Sequence, residues 1–254
     1  MIPVGDFLRR NTTPYVNWLL IATNLLVFLY TISLSTTPDQ TIGGIPWSAS
    51  DRFYFEWSFM PACLADYFGV DSGANPEDVA LLCPTEGQPL RVVSAMFMHA
   101  GWAHVIFNLL FLWLFGDNVE DRLGHVRYLI FYLVCGVLAA LVQTVFSLDT
   151  LVPNVGASGA IAGVLGAYLI LYPKAIVQVV ILPLFFIPFF VPAVLLILVW
   201  FLTQLLSGLA EVGQTTAGSG TAWWAHIGGF IAGVLLITLI RPRGRPRSQP
   251  YRVT

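Results

Sequence analysis

The amino-acid sequence predicts an all-α membrane protein built as a bundle of six transmembrane helices. Of its 254 residues, 57% are hydrophobic and only 10% are charged, and the mean hydropathy is +0.76. A soluble domain carries about 25% charged residues, so the composition of this chain suits a lipid environment. The formal net charge of −2 gives no reason to expect a nucleic-acid partner.

Six apolar segments supply the predicted helices, because a helix that crosses a membrane needs about 20 apolar residues. Only the first connection, residues 35–94, is long, and it is rich in Pro, Gly, Asp and aromatic residues. Residues 15–240 are therefore predicted to form one membrane domain between residues 1–14 and a basic tail, 241–254. The predicted segments are about 15–34, 95–115, 126–147, 157–172, 187–207 and 222–240.

The distribution of basic residues predicts which side of the membrane each connection faces. Connections on the cytoplasmic side are enriched in Lys and Arg. With both termini in the cytoplasm, ten of the twelve basic residues fall on that side, and only Arg52 and Arg91 fall outside. Both termini are therefore predicted to be cytoplasmic, and 35–94 is predicted to be a long first extracytoplasmic loop.

Strongly polar side chains inside apolar segments are costly and are therefore functional candidates. His99, His104 and His226 lie near the predicted outer ends of the second and sixth segments. Asn108 follows His104 by four residues, so the two share one helical face. This pair has two interpretations: polar contacts between helices, or two donors for a developing oxyanion.

Small residues mark the start of the fourth and sixth segments. Ser158 begins the fourth segment, where the free N–H groups of a helix N-terminus favour negative charge. Gly159 of that segment, and Gly229 and Gly233 of the sixth, lie in stripes of small residues that permit close helix packing. If these stripes pack against each other, Ser158 and His226 meet near the outer surface.

Together these stretches resemble the rhomboid family of intramembrane serine proteases. The resemblance rests on His99, His104 and Asn108 in the second segment, on GASG around Ser158, and on AHIGG around His226. Their order and their positions in the segments agree with the family. The sequence EDRLG, which follows the second segment, is similar to a structural element of the family. The resemblance implies a six-helix bundle of rhomboid type.

The resemblance also implies a mechanism. Ser158 is the expected nucleophile and His226 its general base, in a dyad without an acidic third member. His104, Asn108 and the backbone N–H of Ser158 are expected to stabilise the oxyanion. The expected supporting residues are His99, Gly156, Gly159, Gly229 and Gly233.

Two positions depart from the family pattern. Many relatives have an aromatic residue four positions after the serine, packed against the histidine, whereas this chain has Ala162. Trp223 or Trp224 is the expected substitute. The family's Trp–Arg pair in the first loop is also missing, since Trp57 and Arg91 stand apart in the sequence.

Two other features leave alternatives open. Cys63 and Cys83 lie in the predicted outer loop, where they can form a disulfide or remain as free thiols. Three prolines, Pro183, Pro188 and Pro192, precede or enter the fifth segment and can simply kink it, since each removes a backbone donor. They can also mark a weakly packed helix that opens as a lateral gate for substrate helices.

The expected activity is that of a serine-type endopeptidase that hydrolyses peptide bonds in or beside the transmembrane segments of membrane proteins. The expected partners are these substrates and the lipid bilayer, and no oligomeric state is predicted. We expect neither a metal nor an organic cofactor, because no His and carboxylate cluster has ligand spacing. The expected location is a bacterial or archaeal cell membrane, with the chain as an integral multi-pass protein.

Two alternatives belong to other functional classes. The first is a catalytically inactive rhomboid-like protein that binds transmembrane helices. The second is a proton-coupled transporter or channel that uses the histidines as a relay. The second is less favoured, because the chain shows neither an internal repeat nor paired acids deep in its apolar segments.

Overall fold

The computed structural model describes residues 2–8, 10–83, 86–180, 187–211 and 221–240. Within these ranges the chain is mostly helical. The helices are α1 (Tyr15–Ser33), α2 (Ala49–Trp57), α3 (Pro61–Tyr67), α4 (Pro76–Leu82), α5 (Gln88–Ala95), α6 (Trp102–Phe111), α7 (Asp117–Leu123), α8 (His125–Phe146), α9 (Ser158–Leu171), α10 (Ala193–Glu211) and α11 (Trp223–Leu239), with a π-helical turn, Leu112–Gly116, that joins α6 to α7. The strands are β1 (Ile2–Asp6), β2 (Pro38–Ile42), β3 (Ile45–Ser48), β4 (Ile176–Val180) and β5 (Pro188–Pro192).

Four helices of the described residues are long and apolar enough to cross a membrane: α1, the continuous helix Trp102–Leu123, α8 and α10. The apolar helices α9 and α11 are shorter, with 14 and 17 residues. They occupy the positions of the predicted fourth and sixth segments. The prediction of a helical membrane fold is confirmed at this level.

The bounds of two predicted segments are wrong. The second segment begins at Trp102 rather than near residue 95, because α5 ends at Ala95 and Gly101 precedes α6 in an extended conformation. The fifth begins at Ala193 rather than near residue 187. Proline has no backbone N–H to donate within a helix, and Pro188 and Pro192 instead bound the strand β5.

A small antiparallel sheet, which the sequence analysis did not predict, joins two distant parts of the chain. Strand β4 pairs with β1 on one side and β5 on the other. Four of the five residues of β4 are Ile or Val, which suit a strand. The sheet therefore ties the N-terminal segment to the connection between α9 and α10. The predicted basic tail, 241–254, lies outside the described residues.

Two acidic side chains, one fully buried and one half-buried, bind the N-terminal segment to the bundle. The Glu120 carboxylate is fully buried and accepts hydrogen bonds from the backbone N–H groups of Val16 and Asn17, in the first turn of α1. Asp6 accepts from the Tyr168 hydroxyl at 2.7 Å and from the Asn118 amide at 2.9 Å. Burial raises the pKa of the Asp6 carboxyl, although these hydrogen bonds oppose the shift.

The predicted long loop, 35–94, contains the hairpin of β2 and β3 and the helices α2 to α5. A disulfide links Cys63 to Cys83, which resolves the alternative that the sequence left open. Arg91 and Ser94 of α5 donate to the carbonyl groups at the C-terminal end of α2. The loop is therefore held as a folded layer against the bundle.

The centre of the bundle is the contact between α9 and α11. A Cβ atom added to Gly229 would lie 2.0 Å from the carbonyl oxygen of Gly159, and one added to Gly233 would lie 2.0 Å from that of Gly163. No side chain fits at such distances, so only glycine permits this approach. Helix α8 packs on the same pair, with Ala139 beside both Gly159 and Gly229.

We expect Gly233→Ala to weaken the bundle, because the added methyl group forces the two helices apart. Overpacking of this kind costs about 1–3 kcal/mol and occasionally more. The measurement is the thermal unfolding midpoint in detergent. Gly101→Ala is the matched control, because no atom lies within 4 Å of the added Cβ atom and its φ of 175° suits any residue. Equal midpoints for the two variants would contradict the packing argument.

Candidate active site

Ser158 is the first residue of α9, and the segment before it is held from two sides. The backbone N–H of Asn154 donates to the carbonyl group of Phe59 at 2.8 Å, and that of Gly156 donates to Ala95 at 2.9 Å. Both acceptors belong to the folded layer of the first loop. The position of the Ser158 hydroxyl is therefore determined by the loop as well as by α9.

His226 lies in the first turn of α11, and its Nε2 atom is 2.8 Å from the Ser158 Oγ atom. The two side chains are each half-buried. The start of α11 is fixed by Gln143 of α8, whose Oε1 atom accepts from the backbone N–H of Ala225 at 3.0 Å. A serine hydroxyl and an imidazole at this distance can exchange a proton.

His104 lies beside the same hydroxyl, across Gly156. A Cβ atom added to Gly156 would lie 2.7 Å from the His104 Nε2 atom and 3.6 Å from the Ser158 Oγ atom. Gly156 also has a φ of +128°, which L side chains rarely adopt. The fully buried ring of His99 packs edge-on against the ring of His104, with centroids 5.0 Å apart. Gly156 thus leaves space for the imidazole of His104 next to Ser158.

Asn108 lies one helical turn below His104 in α6 and is 6% exposed. Its Nδ2 atom has no hydrogen-bond partner within the part of the chain that the structure describes. A buried donor without a partner costs about 1–3 kcal/mol, which a hydrogen bond to a bound group would recover. The amide is available to a ligand that accepts a hydrogen bond.

The imidazole of His226 has a second polar partner that the sequence analysis missed. The Oε1 atom of Gln204, in α10, is 2.7 Å from the His226 Nδ1 atom. A signal for it was present, because Gln204 is a strongly polar residue inside the fifth apolar segment. The same criterion that selected His104 and Asn108 would have selected Gln204.

The position four residues after Ser158 is occupied by Ala162, which is fully buried. Of the two expected substitutes for an aromatic residue, Trp223 is edge-on to His226, with ring centroids 6.2 Å apart. Trp224 instead stacks on Phe146 at 3.7 Å. Trp200 of α10 also lies near the imidazole, at 6.0 Å. The aromatic side chains beside His226 therefore come from α10 and α11 rather than from α9.

A small cavity of about 40 Å³ adjoins Ser158. Its walls are mostly small residues of the first loop, α8, α9 and the start of α11. The residues that line it include Val92, Ala95, Gly136, Ala139, Ala140, Gly159 and Ala225. The volume fits a small apolar group.

Comparison with known proteins places this chain in a family. A family model described as the Rhomboid domain matches residues 86–243, which is more than half of the chain. The chain belongs to the rhomboid family. The match includes the helices α6, α9 and α11 that carry His104, Ser158 and His226. An integral, multi-pass membrane protein follows from the family and from the apolar helices.

Three rhomboid relatives illustrate the range of similarity. RHOMBOID-like protein 2 of Arabidopsis thaliana is 30% identical over 59% of this chain and 49% of its own length. Rhomboid protease GluP of Bacillus subtilis is 42% identical over 33% of this chain and 16% of its own length. Rhomboid protein 1, mitochondrial, of Saccharomyces cerevisiae is 28% identical over 58% of this chain and 40% of its own length. This chain thus spans about half or less of each relative.

We expect Gly156→Ala to displace His104 from the Ser158 hydroxyl, because the added methyl group would overlap the imidazole. The expected result is a strong loss of Ser158 labelling by a fluorophosphonate, measured as a rate in detergent. Gly73→Ala is the control for backbone strain alone, since Gly73 has a φ of +73° and no atom within 4 Å of an added Cβ atom. Labelling of Gly156→Ala at the rate of Gly73→Ala would contradict the assignment of this space to His104.

Proposed function

We propose that this rhomboid protein is an intramembrane serine protease that hydrolyses peptide bonds in or beside the transmembrane segments of membrane proteins. The observation that carries the proposal is the 2.8 Å contact between the Ser158 Oγ atom and the His226 Nε2 atom. Its support includes membership of a family in which relatives such as GluP are named proteases. Family membership alone does not distinguish a protease from an inactive relative.

In the proposed reaction Ser158 Oγ attacks the carbonyl carbon of the scissile peptide bond, while His226 Nε2 takes the hydroxyl proton. The peptide C=O becomes an oxyanion, and the C–N bond breaks when His226 returns the proton to the leaving amine. A water molecule then attacks the acyl-enzyme and loses its proton to His226. Hydrolysis releases the new carboxyl end of the substrate and restores the Ser158 hydroxyl.

The proposed oxyanion donors are His104, Asn108 and the backbone N–H of Ser158. The imidazole of His104 lies against Gly156, and the Asn108 amide lacks a partner within the described ranges. Since α9 begins at Ser158, the first N–H groups of that helix have no acceptor within it. One preorganised donor of this kind increases the reaction rate by a factor of roughly 10²–10³.

The proposed substrates have small side chains at the residue whose carbonyl group is attacked. The cavity of about 40 Å³ beside Ser158 accepts a methyl group more readily than a large side chain. A peptide bond inside a helix must unwind to reach the Ser158 hydroxyl, so helix-breaking residues near it would assist. With both termini in the cytoplasm, as the basic residues predict, cleavage would occur near the outer end of the substrate helix.

Alanine variants of the proposed dyad test the activity directly. The wild-type protein is expected to cleave a single-span reporter in liposomes and to react with a fluorophosphonate, and Ser158→Ala and His226→Ala are expected to do neither. The measurements are reporter cleavage by gel and the rate of probe incorporation. Wild-type protein that cleaves and labels no better than Ser158→Ala would reject the protease and favour a helix-binding relative.

Helix α10 is the proposed lateral gate, because it is loosely packed. Only 22% of its most apolar 18-residue stretch is buried, against 44% of the corresponding stretch of α8. We expect a bismaleimide cross-link between cysteines introduced in the outer halves of α10 and α6 to abolish cleavage of the membrane reporter. The reagent spares the Cys63–Cys83 disulfide, and the native Cys135 is buried. Single-cysteine variants treated with the same reagent are the controls. Unchanged cleavage by the cross-linked protein would refute the gate.

A further inference from the structure

The side chain of Gln204 occupies a buried position between α10 and α11, with 7% of its surface exposed. A neutral amide inside an apolar helix is costly unless each of its polar atoms is satisfied. Here the side chain contacts the backbone of Trp200, the hydroxyl of Thr203 and the imidazole of His226. The last contact lies outside its own helix.

Chemistry determines which end of the amide faces the imidazole. The Thr203 hydroxyl donates its proton to the carbonyl oxygen of Trp200 at 2.6 Å, so the Thr203 oxygen can only accept from Gln204. The carbonyl oxygen of Trp200 is itself only an acceptor. Both groups therefore require the Nε2 end of the amide, at 3.1 and 3.4 Å. The Oε1 end is left to face His226 at 2.7 Å.

An acceptor at Nδ1 determines the tautomer of the imidazole. A neutral imidazole carries one N–H, and the Gln204 oxygen retains it at Nδ1. The Nε2 atom then has a free lone pair, which points to the Ser158 hydroxyl at 2.8 Å. When Nε2 takes the serine proton, the Nδ1–H bond to Gln204 persists and stabilises the imidazolium that forms.

Resting on the proposed protease function, we infer that Gln204 is a positioning residue that acts through His226, so that three helices carry a Ser–His–Gln chain. Its carbonyl oxygen orients the imidazole and holds the tautomer in which Nε2 is the base. It replaces the acidic third member that serine hydrolases commonly use. A neutral acceptor suits this location, because a carboxylate would be costly within a membrane span.

The location of Gln204 on α10 has a consequence for the proposed gate. Helix α10 packs mainly on α11 and is the least buried of the four long apolar helices of the described residues. Outward movement of α10 would withdraw the Gln204 oxygen from the Nδ1 atom of His226. The imidazole is then fully oriented only when α10 has returned to the bundle.

The test is the rate at which a small water-soluble fluorophosphonate labels Ser158, because such a probe needs no lateral entry. Gln204→Leu and Gln204→Met remove the acceptor and are expected to slow labelling about tenfold to hundredfold. Gln204→Glu keeps an oxygen acceptor and is expected to retain most of the rate. In cleavage of the membrane reporter, the loss in the Leu and Met variants is expected in kcat rather than in KM.

Unfolding midpoints separate this role from a purely structural one. Leu and Met pack well in an apolar helix, whereas a buried Glu weakens it, so the expected order of stability is opposite to that of labelling. Asn24→Leu is the matched control, since Asn24 is a fully buried amide in α1 that donates to Leu20 of its own helix. This control also replaces a buried amide side chain by Leu, but at a position that does not contact His226.

The outcomes distinguish the two hypotheses. Wild-type protein that labels no faster than Ser158→Ala would reject the protease itself. If Gln204→Leu and Gln204→Met both label at the wild-type rate, the positioning role is overturned, while the proposed protease activity is unaffected. Labelling rates that merely follow the unfolding midpoints across Leu, Met and Glu would assign Gln204 to packing and also overturn it.

Discussion

The candidate site depends on the direct contact between the backbones of α9 and α11. These helices are separated by more than 50 residues of sequence, yet the carbonyl oxygens of Gly159 and Gly163 lie against Gly229 and Gly233. In lipid the hydrophobic effect does not drive helices together, so packing at small residues has to hold them. The contact also keeps the two N-terminal ends level, and that is why Ser158 and His226 meet.

The first loop also positions Ser158, because it holds the segment that precedes α9. A helix pair alone would leave the segment before Ser158 free to move, since Pro153 and Gly156 interrupt regular structure there. The carbonyl groups of Phe59 and Ala95 accept from this segment on two sides. The same layer is closed by the Cys63–Cys83 disulfide and by the contacts of α5 with α2. Sequence far from α9 thus contributes to the position of the Ser158 hydroxyl.

Features with a simple periodic or spatial signal were accessible from the sequence, and others were not. The six apolar segments, the glycine stripes and the His104–Asn108 face follow from spacing alone. The small sheet was missed because β1 and β5 are short and pair only through β4, which lies more than 150 residues from β1. The sequence could not decide whether Cys63 and Cys83 form a disulfide, because sequence separation does not determine the distance between two cysteines. Gln204 meets the polarity criterion that selected Asn108, but its partner His226 lies 22 residues away on another helix, so spacing alone does not connect the two.

The three helices that surround the imidazole differ in burial, and the difference bears on function. Helix α9 is the most enclosed of the three, with ten of its fourteen residues buried, so the proposed nucleophile has a rigid support. Helix α11 packs on both α9 and α10, and α10 is the least buried of the three, with only four of its nineteen residues buried. A membrane protease must fix its reacting groups and still admit a helix from the side. In the proposed protease, the nucleophile would lie on the enclosed helix and the Nδ1 acceptor on the least buried one, so that movement of α10 would change the orientation of the base without disturbing Ser158.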